Sequence, residues 1–283
     1  MNYKSVILFV GLQASFWSAS FAQQPVLPKS KHGLVVIAHR GSHVNFPENS
    51  IASIEDAIRL GADYVELDVR TSKDGHLVLN HNETVDARSN GKGKIVDLTW
   101  AELQQLELSS NDGKVYRIPS LAEALHVCKN RINIYLDFKE ADVAQTYAAI
   151  KKAGMEKQVL VYLNDIESYG NWRKVAPQMP LMSRIPDEVL TETALPAFKK
   201  EVSFQVVDNK VKRKEEVAII NGEGIAVFLD AQRKDEGPET WAPLLQLGVQ
   251  GLQTDHLEAL VDYLKANNLR NGASVKPLKK NKL

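Results

Sequence analysis

Two histidines, three carboxylates, an arginine and a lysine stand at or near the ends of short apolar runs in this sequence. His39 and Arg40 follow LVVIA, Glu66 and Asp68 lie two apart in YVELDV, His81 closes HLVLNH, and Asp137 and Lys139 lie two apart in INIYLDFK. A spacing of two puts Glu66 and Asp68 on one face of a pleated strand. In an otherwise apolar strand, two such acids repel each other and lose hydration unless a cation or hydrogen-bond donors compensate them. A divalent cation answers that cost. Oxygen-only ligands favour Mg2+ or Ca2+ over zinc, and the lack of a cysteine cluster agrees. Two imidazoles beside such a cation suit a reaction in which one proton is accepted and another delivered near neutral pH.

Each residue also has a plain structural reading. A lone strand-end histidine is often only hydrogen-bonded, Glu66 and Asp68 can form an ion pair with Arg40, and Gly75 in TSKDGHL reads as a turn glycine. The convergence of all seven residues on strand C-termini is what the plain readings leave unexplained, because barrel active sites are built there.

The elements that would position them follow from hydropathy patterning. Short β-branched runs at Leu34 to Ala38, Tyr64 to Val69, Leu77 to Asn80, Ile132 to Phe138, Val159 to Leu163, Leu181 to Arg184, Val202 to Val207, Ile225 to Leu229 and Gly251 to Thr254 read as strands, several of them nearly all apolar, as strands covered on both faces must be. Between them, segments such as Ser50 to Leu60, Leu121 to Lys129, Ala141 to Ala153, Thr240 to Leu247 and Leu257 to Ala266 carry an apolar stripe at helical spacing. Alternating strand and helix implies a parallel sheet, and about eight such units in roughly 230 residues imply an α/β fold closed as a (β/α)8 TIM barrel. The polar, Gly- and Asn-rich stretch 82–118 breaks the rhythm and reads as a small insertion subdomain after the second strand, with a short helix started by the capping pattern Thr99 to Glu102.

The chain has 283 residues, 44% of them hydrophobic and 25% charged, which is globular composition. Its 35 basic and 35 acidic residues balance, so no global field recruits nucleic acid or an anionic membrane. Phosphate affinity must be local. Lys4, an apolar run from Val6 to Trp17 and small residues up to Ala22 read as a signal peptide over residues 1–22, cut near Ala22. The run is shorter than the roughly 20 apolar residues that span a bilayer, so the mature chain is expected to be exported, periplasmic or secreted, without a transmembrane segment. Residues 23–283 then form one domain. Cys128 is the only cysteine, which excludes an intrachain disulfide, and its apolar helical context marks it as a buried, inert thiol. The basic tail 276–283 lacks aromatic residues and reads as solvated chain with no recognition role. The sequence leaves the oligomeric state open.

The strings HRGSHVNFPENS, YVELDVRTSKDGHLVLNHNETVDARSNGKGKIVDLTWAEL, IPSLAEAL, IYLDFK and GVQGLQTDHLEAL resemble the glycerophosphodiester phosphodiesterases in order, spacing and context. The likeness runs from about residue 39 to about residue 260. It implies a barrel with a characteristic insertion, one divalent cation, and hydrolysis of a small-molecule glycerophosphodiester to glycerol 3-phosphate and an alcohol. Residue by residue, it implies that His39 and His81 are the catalytic pair and that Arg40 and Lys139 contact phosphate. It also implies that Glu66, Asp68 and Asp137 hold the metal, while Glu48 and Asn49, in the PEN loop, organise the site. The sequence departs from the family at Asp137, where Glu is usual, and at Asn82, where Asp is usual. Residues 226–231, AVFLDA, replace a familiar tryptophan segment. Two alternatives stay open: a related phospholipase D-like or lysophospholipid phosphodiesterase, and a barrel that binds phosphorylated ligands without turnover.

Overall fold

Eight parallel strands close on themselves in the computed structural model, which describes residues 25–270. In chain order the strands are β1 (Val35–Ala38), β2 (Tyr64–Thr71), β3 (Leu77–Leu79), β4 (Asn133–Glu140), β5 (Val159–Leu163), β6 (Leu181–Met182), β7 (Val206–Val207), β8 (Ala226–Asp230) and β9 (Gly251–Thr254). All but β3 form the barrel, in the order β1, β2, β4, β5, β6, β7, β8, β9, with β9 returning to pair with β1. The expected signal peptide and basic tail lie outside the described residues.

The helices are α1 (Ile51–Leu60), α2 (Trp100–Leu103), α3 (Leu121–Cys128), α4 (Val143–Ala153), α5 (Glu167–Val175), α6 (Ala194–Glu201), α7 (Lys214–Gly222), α8 (Pro238–Gln246) and α9 (Leu257–Ala266). All except α2 follow the barrel strands as the outer ring. The first begins in a capping box, in which the Ser50 side chain accepts from the Ser53 backbone and Ser53 returns the bond to Ser50. No helix among the described residues is long and apolar enough to cross a membrane.

Period-two alternation sorts each strand between two environments. Val36, Ala38, Val65, Leu67, Ile134, Leu136, Val161 and Val227 point outward into the layer packed by the helices, where Cys128 is also buried. Val35, Ile37, Tyr64, Tyr135, Leu160, Met182, Val206, Ala226 and Phe228 pack together inside the barrel. Continuing the inward face one or two positions toward the strand C-termini gives Glu66, Asp68, Asp137, Tyr162, Asp208, Asp230, Gln253 and Asp255. The interior is therefore apolar below and acidic at the mouth. That gradient places the site.

Two strands run further than their apolar runs suggest. Glu66 and Asp68 lie within β2, which continues to Thr71 because its last residues pair antiparallel with β3: Val69 opposite Leu79, Arg70 opposite Val78, and Thr71 opposite Leu77. His81 thus ends a hairpin beside the mouth and does not terminate a parallel barrel strand; the expectation of a barrel-strand end there is corrected. Gly75 makes the hairpin turn at φ 83°. Strand β4 also passes Asp137 and continues to Glu140, with a bulge that leaves Lys139 as the extra residue between Phe138 and Glu140. By contrast, the runs Leu181 to Arg184 and Val202 to Val207 contribute only two ladder residues each. Their remaining residues leave the sheet, where the Asn209 side chain bonds the backbone of Ile185 on both sides.

Residues 82–118 wrap around their own small core of Val85, Ile95, Leu103, Leu108 and Ile118, which packs against Val78 of β3. Thr99 and Glu102 form the reciprocal cap of α2. At the opposite end of the barrel, the buried Asp63 carboxylate accepts from the Val36 backbone (2.9 Å), Ser30 (2.8 Å) and Arg270 (2.8 Å), with His32 Nδ1 at 2.7 Å.

Candidate active site

Glu66 on β2 and Asp137 on β4 flank Asp68, and one carboxylate oxygen from each lies within 4.8 Å of the others. The expectation that these three acids gather is met by the parallel register of β2 and β4, which sets Asp68 directly opposite Asp137. Burial, then repulsion from Asp68 and Asp137, pushes the Glu66 carboxyl well above the usual carboxylate range. Burial also raises Asp137; Lys139 pulls it back, Asp68 pushes it up again, and the net shift is upward. Asp68 accepts from the Asn49 side chain through Oδ2 (2.8 Å), while its Oδ1 is buried without a hydrogen bond. That oxygen is faced only by the Lys139 ammonium at 3.5 Å, between two acids whose charge is disfavoured, and a hard cation would satisfy it. The donor set fits a divalent metal.

Cations surround the acids. Lys139 Nζ lies 2.6 Å from Asp137 and 3.5 Å from Asp68. Burial lowers the Lys139 pKa, but Asp137, Asp68 and Glu66 outweigh it and the net shift is upward. The Arg40 backbone donates to Glu66 (2.7 Å), and its guanidinium reaches Glu48 at 3.3 Å. Its buried Nε makes no hydrogen bond and stands 3.7 Å from Asp68 Oδ2, a contact too long to use the donor, which an anionic ligand could take. Glu48 also meets Arg88 of the insertion at 3.1 Å, tying the wall of residues 82–118 to the first loop.

The first loop is held in an uncommon backbone conformation. Arg40 has φ 52° and Asn49 φ 54°, a left-handed region that non-glycine residues seldom occupy. The strain is matched by the Asn49 side chain, which both donates to Asp68 and accepts from its backbone (3.1 Å). Between them Gly41, at φ 85°, passes so close to Ser53 that an added Cβ would sit 2.3 Å from its hydroxyl.

Both expected histidines border this mouth. His39 follows β1, and its Nδ1 lies 2.6 Å from the Asp255 carboxylate at the end of β9. A carboxylate only accepts, so the ring proton sits on Nδ1 and Nε2 is free to take a proton. Burial raises Asp255, but the hydrogen bonds from His39 and His43 outweigh it and hold the acid well below the usual range. The anion stays ionised behind His39. His81 follows Asn80, whose backbone donates to the Asp68 carbonyl (3.1 Å), and its Nδ1 lies 2.8 Å from the Asn82 side chain. Its carbonyl accepts from Arg70, at 3.1 and 2.8 Å.

Asp255, Arg70, His43 and Asn164 have places at the site that sequence reasoning did not assign. Asn164 donates to Asp137 (2.6 Å) from the residue after β5. Arg70 had a signal: it is two beyond Asp68 and four beyond Glu66 on the same strand face. Asn164 had a weaker one, a polar residue directly after the apolar strand β5, and Asp255 follows the half-polar β9. His43 had none.

The model of the glycerophosphoryl diester phosphodiesterase family matches residues 39–259. The chain belongs to that family. A glycerophosphodiester phosphodiesterase of Caldanaerobacter subterraneus is 36% identical over 161 residues, covering 52% of this chain and 65%, just under two thirds, of the relative. One from Bacillus subtilis is 26% identical over 268 residues, covering 84% of this chain and 90% of the relative. In fold, the chain resembles an Oleispira antarctica phosphodiesterase solved with the product sn-glycerol-3-phosphate. The TM-score is 0.69 at 22% identity, covering 82% of this chain and 96% of that one.

Proposed function

We propose that this phosphodiesterase hydrolyses glycerophosphodiesters to sn-glycerol 3-phosphate and an alcohol, using one divalent cation, Mg2+ or Ca2+, held by Glu66, Asp68 and Asp137. The observation that carries the reading is the buried Asp68 Oδ1, which makes no hydrogen bond and meets only the Lys139 ammonium at 3.5 Å, between two acids whose charge the fold disfavours, with Arg40 alongside. The product bound in the Oleispira antarctica phosphodiesterase supports the choice of substrate.

A bound cation would supply Lewis-acid neutralisation of the phosphate charge. The remaining work falls to side chains. Arg40 Nε and the Lys139 ammonium hold the phosphate oxygens and meet the charge that grows on them. His39 accepts at Nε2 the proton of the attacking group, either water or glycerol's own hydroxyl, the latter giving a cyclic phosphate that water then opens, and Asp255 stabilises the imidazolium that results. His81 gives a proton to the departing alkoxide. Asn82 orients that ring through its side-chain oxygen. Arg70 fixes the backbone from which His81 projects, and Glu48 and Asn49 hold the loop that carries Arg40.

Product analysis across glycerophosphocholine, glycerophosphoethanolamine, glycerophosphoglycerol and glycerophosphoinositol tests the reading. Release of sn-glycerol 3-phosphate with added Mg2+ or Ca2+ is expected. A cyclic lipid phosphate from lysophospholipids, with none of these four cleaved, would overturn it in favour of the phospholipase D-like alternative. The export reading is likewise a proposal resting on Lys4, the run Val6 to Trp17 and Ala22. Mass spectrometry of protein expressed with export should find a chain beginning near Gln23, and an intact Met1 in the exported fraction would refute cleavage.

A further inference from the structure

We propose that His39, His43 and Asp255 form a second cation site, suited to a borderline transition ion such as Zn2+, and that filling it stops proton transfer at His39. The site itself stands on geometry alone; its inhibitory effect rests on the proposed role of His39.

Nδ1 of His39, Nε2 of His43 and an Asp255 carboxylate oxygen lie within 4.8 Å of one another. The two ring nitrogens already converge on a single oxygen, at 2.6 and 2.9 Å. The rings meet edge to face, with centroids 5.8 Å apart and planes at 76°, so neither blocks the other from a common point. Two imidazoles and a carboxylate form the donor set that zinc, nickel and copper prefer, unlike the three carboxylates of Glu66, Asp68 and Asp137, which suit hard ions. One molecule would thus carry two sites of different hardness side by side.

The ligands are supported and open. The Asp255 backbone donates to Glu236 (3.0 Å), and the Thr254 hydroxyl donates to the same carboxylate, so the end of β9 is pinned. The three side chains keep 18%, 24% and 30% of their surface exposed, leaving a solvent position for a further ligand. His43 also lines a cavity of about 270 Å³ with Glu48 and Arg88, which gives an ion a path from the surface.

The consequence follows from the tautomer. A neutral imidazole carries one proton, now on Nδ1 of His39, where it faces Asp255. An ion on Nδ1 moves that proton to Nε2, so the nitrogen facing the reaction no longer accepts one. On His43 the ion takes Nε2 and the proton moves to Nδ1. No proton is lost from either neutral ring.

Equilibrium dialysis of the full chain against Zn2+, with Mg2+ in large excess to fill the carboxylate site, tests the proposal. One Zn2+ per chain is expected in the wild type and in Asp68→Asn, and none at the same free Zn2+ in His43→Gln, which keeps a hydrogen-bond donor. In turnover assays, Zn2+ should inhibit the wild type independently of Mg2+ concentration, and His43→Gln should need about tenfold more Zn2+ or higher for half-inhibition. Equal Zn2+ stoichiometry in His43→Gln, or inhibition relieved by raising Mg2+, would overturn the site. Because Asp68→Asn reports binding without turnover, the site and the proposed hydrolysis can fail separately.

Discussion

Glu66 shows how much of this site is built against the stability of its own ligands. Its carboxyl is fully buried, hydrogen-bonded only to the Arg40 backbone, and pushed up by burial and by two neighbouring acids. Glu66→Gln keeps the acceptor and removes the disfavoured charge, so the metal-free variant should melt no lower than the metal-free wild type while losing turnover. Calorimetry beside an activity assay checks both halves. Asp255 has the opposite sign. Held below its ordinary range, it contributes stability that is present above the unfolded Asp value, about 3.9, and is lost as pH falls through its lower folded value. The stability gap between the wild type and Asp255→Asn should therefore be full at neutral pH and vanish only in strong acid, as read by urea denaturation at several pH values. The same variant should lose roughly 10²- to 10⁴-fold in rate, because an amide no longer fixes the His39 proton on Nδ1 nor stabilises the imidazolium. The sequence showed Glu66, Asp68 and Asp137 plainly, since strand alternation alone aligns the first two. It hid the pairing of His39 with Asp255, because 216 residues separate them and only barrel closure brings them together.

At the scale of elements, legibility followed hydropathy. Strands of four or more apolar residues and helices with clear caps, such as α1 and α3, fall within a residue or two of their expected bounds. Helices α5, α6 and α7 carry less signal: Gly170 interrupts the first, and the residues at their N-cap positions, Ile166, Thr193 and Arg213, accept no capping bond through a side-chain oxygen. The bulge at Lys139 and the hairpin through β3 were invisible to pattern alone because both depend on which strand pairs with which. Gly251 at the start of β9 sits against the Phe228 ring inside the barrel, where an added Cβ would approach to 2.5 Å. Gly251→Ala should destabilise by about 1–3 kcal/mol through overpacking. A denaturation midpoint unchanged from the wild type would mean that Phe228 moves aside freely.

For the whole molecule, closure is the central fact: β1 pairs with both β2 and β9, so the first and last strands share one wall. The closed barrel separates work between its ends. At the end away from the site, Asp63 gathers Ser30, His32, the Val36 backbone and Arg270, joining both ends of the described chain to the start of β2. Arg270→Met should cost roughly 3 kcal/mol, the low end for breaking a buried pair because Asp63 keeps its other partners. Turnover per folded molecule should stay at the wild-type level, since the change lies at the opposite end of the barrel.

The measurement that bears most directly on the account is turnover of a glycerophosphodiester titrated against free Mg2+ or Ca2+ in a chelator buffer. A catalytic cation held by the three acids predicts no turnover at vanishing free cation, a saturable single-site rise in the wild type, and no rise in Glu66→Gln. Turnover that persists undiminished in excess chelator would contradict it, because the three acids would then gather for some purpose other than holding a catalytic cation.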